Sequence, residues 1–314
     1  MGNAALVTGG NSGIGLVCAR ELARAGWHVL IARRNRAASE AAVRDIARSG
    51  AKGEVEALDL DLASMASVRG VVGEVIARGL PLHALVCNAG LQFNSGPQLS
   101  KDGYELTFAV NHLGHFLLTN LLFGELVKRA PARIVIVASG VHDPALRTGM
   151  PKPAIGDLDT LATTGGATPG EFNGRLAYVN SKLCNVWFTY ELTRRVGARP
   201  VTVNGWEPGL VPASGLARDY PPAMKFIWDR ILPFVTGSLN PFIPSLSTLS
   251  RSGTALSRMV LDPELANTTG KYFPSHARWH AARSSELSYD AQKARALWDA
   301  SVRMSGLAPG ESTL

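Results

Sequence analysis

A Rossmann-type α/β fold, with a doubly wound parallel sheet in a single domain, is what this chain of 314 residues predicts, on three observations. Short apolar runs alternate with longer stretches of helical periodicity, and a glycine-rich loop joins the first run to the first helix. No repeat, low-complexity tract or linker divides residues 1–314 into two cores. Strands without turns of their own, each followed by a helix, belong to a parallel sheet covered on both faces.

The elements follow in order. Ala4 to Val7 is the first strand, and a helix begins near Ser12; Trp27 to Ile31 is the second strand, and a helix begins near Ala37. Further strands are expected at Val55 to Leu58, Ala84 to Cys87, Ile134 to Ala138 and Val201 to Trp206. Helices are expected at Ser64 to Arg78, Tyr104 to Arg129 and Tyr178 to Arg195. Two stretches break the alternation. Gly140 to Gly174 is rich in Pro, Gly and Thr, and the region of about 212–252 carries six prolines among aromatic and aliphatic residues. The second is too apolar to stand in water as a plain loop, so an apolar substrate lid is the preferred expectation, with Met224, Phe226, Ile227, Trp228, Ile231, Leu232 and Phe234 facing substrate. A helical subdomain on the sheet edge, or peripheral contact with a membrane, are the alternatives.

A net charge of +7 comes from arginines spread along the chain without a long basic block or interleaved aromatics, which argues against nucleic-acid binding. Cys18, Cys87 and Cys184 are far apart and lack Cys-x-x-Cys spacing, so buried reduced thiols in a cytoplasmic protein are expected. The sequence enters its first strand by Ala4 without a charged leader, so no targeting segment is expected. Prolines and charges in the longest apolar region, Ala223 to Leu246, argue against a transmembrane span there.

Tyr178 and Lys182 lie four residues apart in a helical stretch and so project from one face. A phenol of ordinary pKa about 10 is a poor proton donor at neutral pH, and a neighbouring ammonium favours its ionised form. The pair is a candidate general acid/base.

Thr8 to Gly15 follows the first strand and opens the first helix, the placement of a pyrophosphate-binding loop. Gly9 would make the tight turn, Gly13 the close approach to phosphate and Gly15 the helix–strand packing. Asn11, Ser12 and Ile14 complete the loop, whose helix-start N–H groups face the anion. After the second strand, Arg33 and Arg34 stand where a chain selecting NAD would place a carboxylate. Their donors suit a 2′-phosphate, so NADP(H) is the expected cofactor, with Arg34 the better placed; a solvated basic turn is the alternative.

These residues resemble the short-chain dehydrogenase/reductases from Ala4 to about Ser305. The family's glycine motif matches Thr8 to Gly15, its adenine-contacting Asp matches Asp61 in Leu60-Asp61-Leu62, and its Asn-Ala-Gly turn matches Asn88-Ala89-Gly90. Its active-site Asn, Ser, Tyr and Lys match Asn111, Ser139, Tyr178 and Lys182, and its Pro-Gly turn matches Pro208-Gly209, with Val211 just beyond on the cofactor side. Asn111-His112-Leu113-Gly114-His115-Phe116, Ser181 to Asn185 and Gly270 to Phe273 are similar to the retinol-dehydrogenase and protochlorophyllide-reductase-like branch. The chain departs from the family at Ala213, where many members have a Thr that contacts the nicotinamide carboxamide; Ser214 is the nearest substitute hydroxyl. The long connection from Ser139 to Tyr178 would add wall to the substrate side.

The resemblance implies hydride transfer with Tyr178 as acid/base, Ser139 orienting the substrate oxygen, Lys182 supporting Tyr178 and touching the nicotinamide ribose, and Asn111 holding helix geometry and a water. A bulky apolar ketone or aldehyde, or the matching alcohol, is the expected substrate. Reduction of a conjugated C=C bond and a non-catalytic NADP-sensing role are the alternatives. A homodimer is suggested by the helix bundle many relatives form. His112 and His115 share one helix face but have no third ligand at suitable spacing, so both are expected to be structural and no metal is expected.

Overall fold

The computed structural model describes residues 2–34, 36–168, 171–215, 221–239, 245–274 and 280–314. The strands are β1 (Ala4–Thr8), β2 (His28–Ala32), β3 (Val55–Leu58), β4 (Leu82–Cys87), β5 (Ala132–Val137), β6 (Val201–Trp206) and β7 (Lys271–Phe273). They form one sheet in the order β3-β2-β1-β4-β5-β6-β7, with every neighbouring pair parallel. The helices are α1 (Gly13–Arg24), α2 (Arg36–Arg48), α3 (Met65–Arg78), α4 (Leu106–Phe108), α5 (Gly114–Lys128), α6 (Leu158–Thr164), α7 (Gly174–Val196), α8 (Pro222–Phe226), α9 (Leu232–Leu239), α10 (Leu249–Leu261) and α11 (Ala291–Ser305).

Register explains why the strands are apolar throughout. Leu30, Leu6, Leu85, Ile134 and Val203 pair in one row across five strands, and Ile31, Val7, Val86 and Val135 form the next row. Successive side chains point to opposite faces. The first row therefore enters a core shared with α3, α5, α7 and α11, and the second a core shared with α1, α2 and α10. Both faces are buried, as a parallel sheet requires.

Between α4 and α5 a π-turn at Ala109–Leu113 widens the helix, and the stretch Leu106–Lys128 is long and apolar enough to cross a membrane. Its most apolar 18-residue window is 94% buried inside the fold, which makes it a core helix here. Three features depart from the sequence expectation. β7 has only three residues, too few to show a period, and α11 was not anticipated. α10 begins inside the expected lid region yet packs on α1, so the lid ends before it. Residues 216–220 and 240–244 of that region lie outside the described residues.

At the α1–α10 contact a Cβ on Gly253 would collide with the Val17 side chain. Gly253→Val should therefore cost roughly 1–3 kcal/mol by overpacking. Urea unfolding would show a lower midpoint with an unchanged slope; an unchanged midpoint would mean that the two helices separate freely.

Candidate active site

β1 lies between β2 and β4, so the chain crosses the sheet in opposite directions from this point, and ligands of open α/β sheets bind outside the carboxyl ends of the strands there. A cavity of about 850 Å³ opens at that place. It runs from Arg33, Arg34 and Asp61 past Tyr178 to Met150 and Trp228.

At the first end, Gly9, Ser12, Ile14 and Gly15 line the cavity, as do Leu62, Asn88, Ala89, Gly90, Pro208, Gly209 and Val211. Asn11 and Gly13 of the same loop do not line it. Gly9 has φ +66°, and a Cβ on Gly15 would strike the Gly9 carbonyl and the Asn88 amide, so the loop lies tight against β1 and β4. The Ser12 side chain does not cap α1, and the first turn holds no acid. Its N–H groups are left for an anion. Arg33 crosses this loop, donating from Nη1 to Asn11 Oδ1 at 2.9 Å and Ser12 Oγ at 3.0 Å. Arg34 is exposed, with Nε 3.8 Å from Asp61 Oδ1, while Lys101 Nζ stands 3.2 Å from Asp61 Oδ2. The uncapped helix start with two guanidiniums beside it fits a dinucleotide carrying an extra phosphate.

Tyr178, Lys182 and Ser139 share the middle of the cavity. α7 starts at the Asn173 cap, whose side chain accepts from Leu176 N–H, and it carries Tyr178 and Lys182 one turn apart. Lys182 is 4% exposed; its Nζ donates to the Val137 carbonyl at 3.2 Å and lies 5.6 Å from the Tyr178 ring centre. Burial pushes its pKa down to about 8. Asn185 Nδ2 donates to the same carbonyl at 3.1 Å, so the end of β5, from which Ser139 follows, is tied to α7 twice.

Asn111 does not line the cavity. Its Oδ1 accepts from Leu91 N–H at 2.8 Å, and its Nδ2 donates to Leu91 O at 3.0 Å and Ser181 Oγ at 2.9 Å. It fastens the loop after β4 to α7, and the π-turn is what carries it there.

His115 and His112 are buried and structural in their contacts. A carbonyl only accepts, so His115 Nδ1 carries the proton given to Asn111 O at 3.2 Å, and Nε2 accepts from the Thr8 hydroxyl at 2.8 Å. Thr8 Oγ1 in turn receives the N–H groups of Asn88 and Ala89, each at 2.9 Å. His112 Nε2 meets Ser301 Oγ of α11 at 2.9 Å. Burial lowers the pKa of His112 to about 3 and of His115 to about 4. Among the described residues, the cluster with metal-like spacing is His28, Glu54 and Glu56, at the amino end of β2, where Arg78 already pairs with Glu56.

The lid expectation needs correction. α8, a π-turn at Ile227–Ile231 and α9 follow one another, and of the expected lid side chains only Trp228 lines the cavity. Met224, Phe226, Ile227, Ile231 and Phe234 are exposed, Phe234 at 87%. A helix presents one face inward, and Met224, Ile227, Ile231 and Phe234 fall on the other. The substrate end is walled instead by Leu146, Thr148 and Met150 from the long connection, with Arg175 and Leu210. Ser214 lines the cavity beside Ala213, which has φ +60°. The sequence reading missed Arg175, one turn before Tyr178 on the same face, and Glu207, which precedes Pro208; both positions were signals.

Residues 3–148 match the family model described as short chain dehydrogenase. The human WW domain-containing oxidoreductase is 38% identical over 303 residues, covering 96% of this chain and 68% of that protein. Chloroplastic protochlorophyllide reductase A of Oryza sativa subsp. japonica is 35% identical over 324 residues, covering 96% of this chain and 80% of that one. A solved structure of a putative NAD(P)-dependent gluconate 5-dehydrogenase from Beutenbergia cavernae with bound NADP is 25% identical, with a TM-score of 0.63 over 88% of this chain and 96% of that one.

The neutral histidines make stability sensitive to acid. The unfolded chain takes up their protons near pH 6.5 and the folded chain only near 3 and 4, so their contribution is whole above 6.5 and lost as pH falls toward 4. The loss is at most ~1.4 kcal/mol per pH unit for each histidine. Urea midpoints should fall steadily from pH 7 to pH 5; a flat profile would mean that the imidazoles titrate normally.

Proposed function

The chain belongs to the short-chain dehydrogenase family, and from that premise we propose that it is an NADPH-dependent oxidoreductase reducing the carbonyl group of a bulky, largely apolar substrate. The observation that carries this reading is the grouping of Tyr178, Ser139 and Lys182 on one cavity between a phosphate-ready loop and an apolar wall. Arg33, Arg34 and the N-terminus of α1 would hold the phosphates, and Asp61, Asn88 to Gly90 and Pro208 to Val211 would flank the rest of the dinucleotide. When bound, the reduced nicotinamide supplies the hydride.

As charge develops on the carbonyl oxygen, the Tyr178 hydroxyl gives it a proton and the Ser139 hydroxyl orients it by a hydrogen bond. The Lys182 ammonium, one turn along α7, stabilises the phenolate left behind. Asn111 keeps the loop from Asn88 to Leu91 in place. In the reverse direction the same groups act on an alcohol, with Tyr178 as base. Leu146, Met150, Leu210 and Trp228 favour an apolar substrate body and exclude water from the reacting atoms. The outward apolar side of α8 and α9 supports peripheral contact with a lipid surface as a further partner.

A second reading, reduction of a conjugated C=C bond, is favoured by the likeness to a protochlorophyllide reductase. An enone offered with NADPH separates them: a product that is an alcohol with its double bond intact belongs to carbonyl reduction, and a saturated ketone to the second.

In a screen of ketones, aldehydes and enones, NADPH should outperform NADH by about tenfold or more, and Arg34→Ala should raise KM for NADPH while sparing NADH. A preference for NADH would overturn the assignment of Arg33 and Arg34. Tyr178→Phe should lower kcat by about 100-fold or more at unchanged folding. A variant that retains its rate would overturn the role given to Tyr178, and one that loses turnover yet retains its biological output would point to a sensing role.

A further inference from the structure

We infer that His142 is a positioning residue for this reaction, holding the Ser139 backbone where the Ser139 hydroxyl can meet the substrate oxygen. The inference rests on the reading of Ser139 as the orienting hydroxyl.

Ser139 follows β5 and has extended backbone, with φ −165° and ψ 147°. A short 3-10 turn at Gly140–His142 brings His142 back upon it. The backbone N–H of His142 donates to Ser139 O at 3.2 Å, and the ring Nδ1 meets the same oxygen at 2.6 Å. On the other side of the ring, Nε2 accepts from Ser285 N–H at 3.2 Å. The partners fix the tautomer. Ser139 O can only accept and Ser285 N–H can only donate, so Nδ1 carries the single proton. Burial, which lowers the pKa of this ring, keeps it in that neutral form.

A neutral imidazole offers one donor and one acceptor on opposite sides, which is what joining two backbone groups across a buried gap requires. His142 is 1% exposed, and its ring meets Tyr272 of β7 edge to face at 5.2 Å. The Tyr272 hydroxyl donates to Glu207 Oε2 at 3.2 Å. The segment carrying Ser285 is itself anchored, because Trp187 Nε1 of α7 donates to Leu287 O at 2.9 Å. The loop is thus held at two carbonyls: Val137 by Lys182 and Asn185, and Ser139 by His142. The two holds meet in α7, the helix that carries Tyr178. The consequence is a fixed distance between the two hydroxyls that must reach one substrate oxygen.

The test uses the full-length chain, NADPH and the carbonyl compound turned over fastest in the screen above. His142→Phe keeps a ring on Tyr272 and removes both hydrogen bonds. It should lower kcat by about 10- to 100-fold, the scale of a 1 Å misplacement, with KM for NADPH within about twofold of the parent. His142→Asn keeps a donor near the Nδ1 position and should recover most of kcat, whereas His142→Gln, with its amide at the Nε2 position, should not. Ser139→Ala added to His142→Phe should cost far less than Ser139→Ala alone, because the hydroxyl is already misplaced. If His142→Phe fails to fold, the Asn and Gln variants decide between themselves. A folded His142→Phe with parental kcat, Asn and Gln variants that fall equally, or losses that simply multiply with Ser139→Ala would overturn the inference. A parental kcat in Ser139→Ala alone would instead remove the reading of Ser139 on which it stands.

Discussion

A buried ammonium is the constraint around which the rest of this molecule is arranged. Lys182 lies almost wholly out of water, and an ion in that position is costly unless fixed partners receive its donors. The Val137 carbonyl is one such partner, and to offer it β5 must end against α7 at the level of Lys182. The same juxtaposition brings Ser139, the next turn of chain, to the side of Tyr178. A pKa lowered to about 8 is the measure of how strongly burial acts on this group. It leaves the cation close to the point where it could be lost, so its charge depends on its surroundings.

Polar groups around that centre are satisfied by a relay of neutral side chains rather than by further charges. His115 links the Asn111 carbonyl to Thr8, and Thr8 receives two N–H groups from the loop after β4. Asn111 fastens the same loop to α7 from the other direction. Each of these groups would be expensive if left unpaired at such burial. Together they connect the loop that would carry a dinucleotide to the helix that carries the proposed proton donor, Tyr178. Cofactor-side and substrate-side geometry are therefore parts of one network.

The strands β1 to β6 were legible because apolar runs bounded by polar or glycine-rich turns have few alternatives, and a candidate site could be named because ordered motifs occupy strand ends. The four proposed catalytic residues and the roles the family resemblance implies could be named, but not the bonds by which Asn111 fastens the loop after β4 to α7, because they depend on a π-turn that leaves no mark in hydrophobic periodicity. β7 is too short for periodicity to register, and α10 was hidden by the apolar content that made its region resemble a lid. The outward side chains of α8 and α9 show why composition misleads there. Apolar content says that a helix has something to cover, while only its orientation says on which side. His142 was passed over although its spacing from Ser139 suits a tight turn, because its role depends on Ser285, far along the chain.

Whether the Lys182 charge supports proton transfer is most directly measured by single-turnover NADPH oxidation across pH in the native protein and in Lys182→Met. The native rate should fall as pH rises through about 8, where the buried ammonium loses its proton, and the slower variant should show no such limb. The same limb persisting at the same pH without the ammonium would contradict the role given to Lys182.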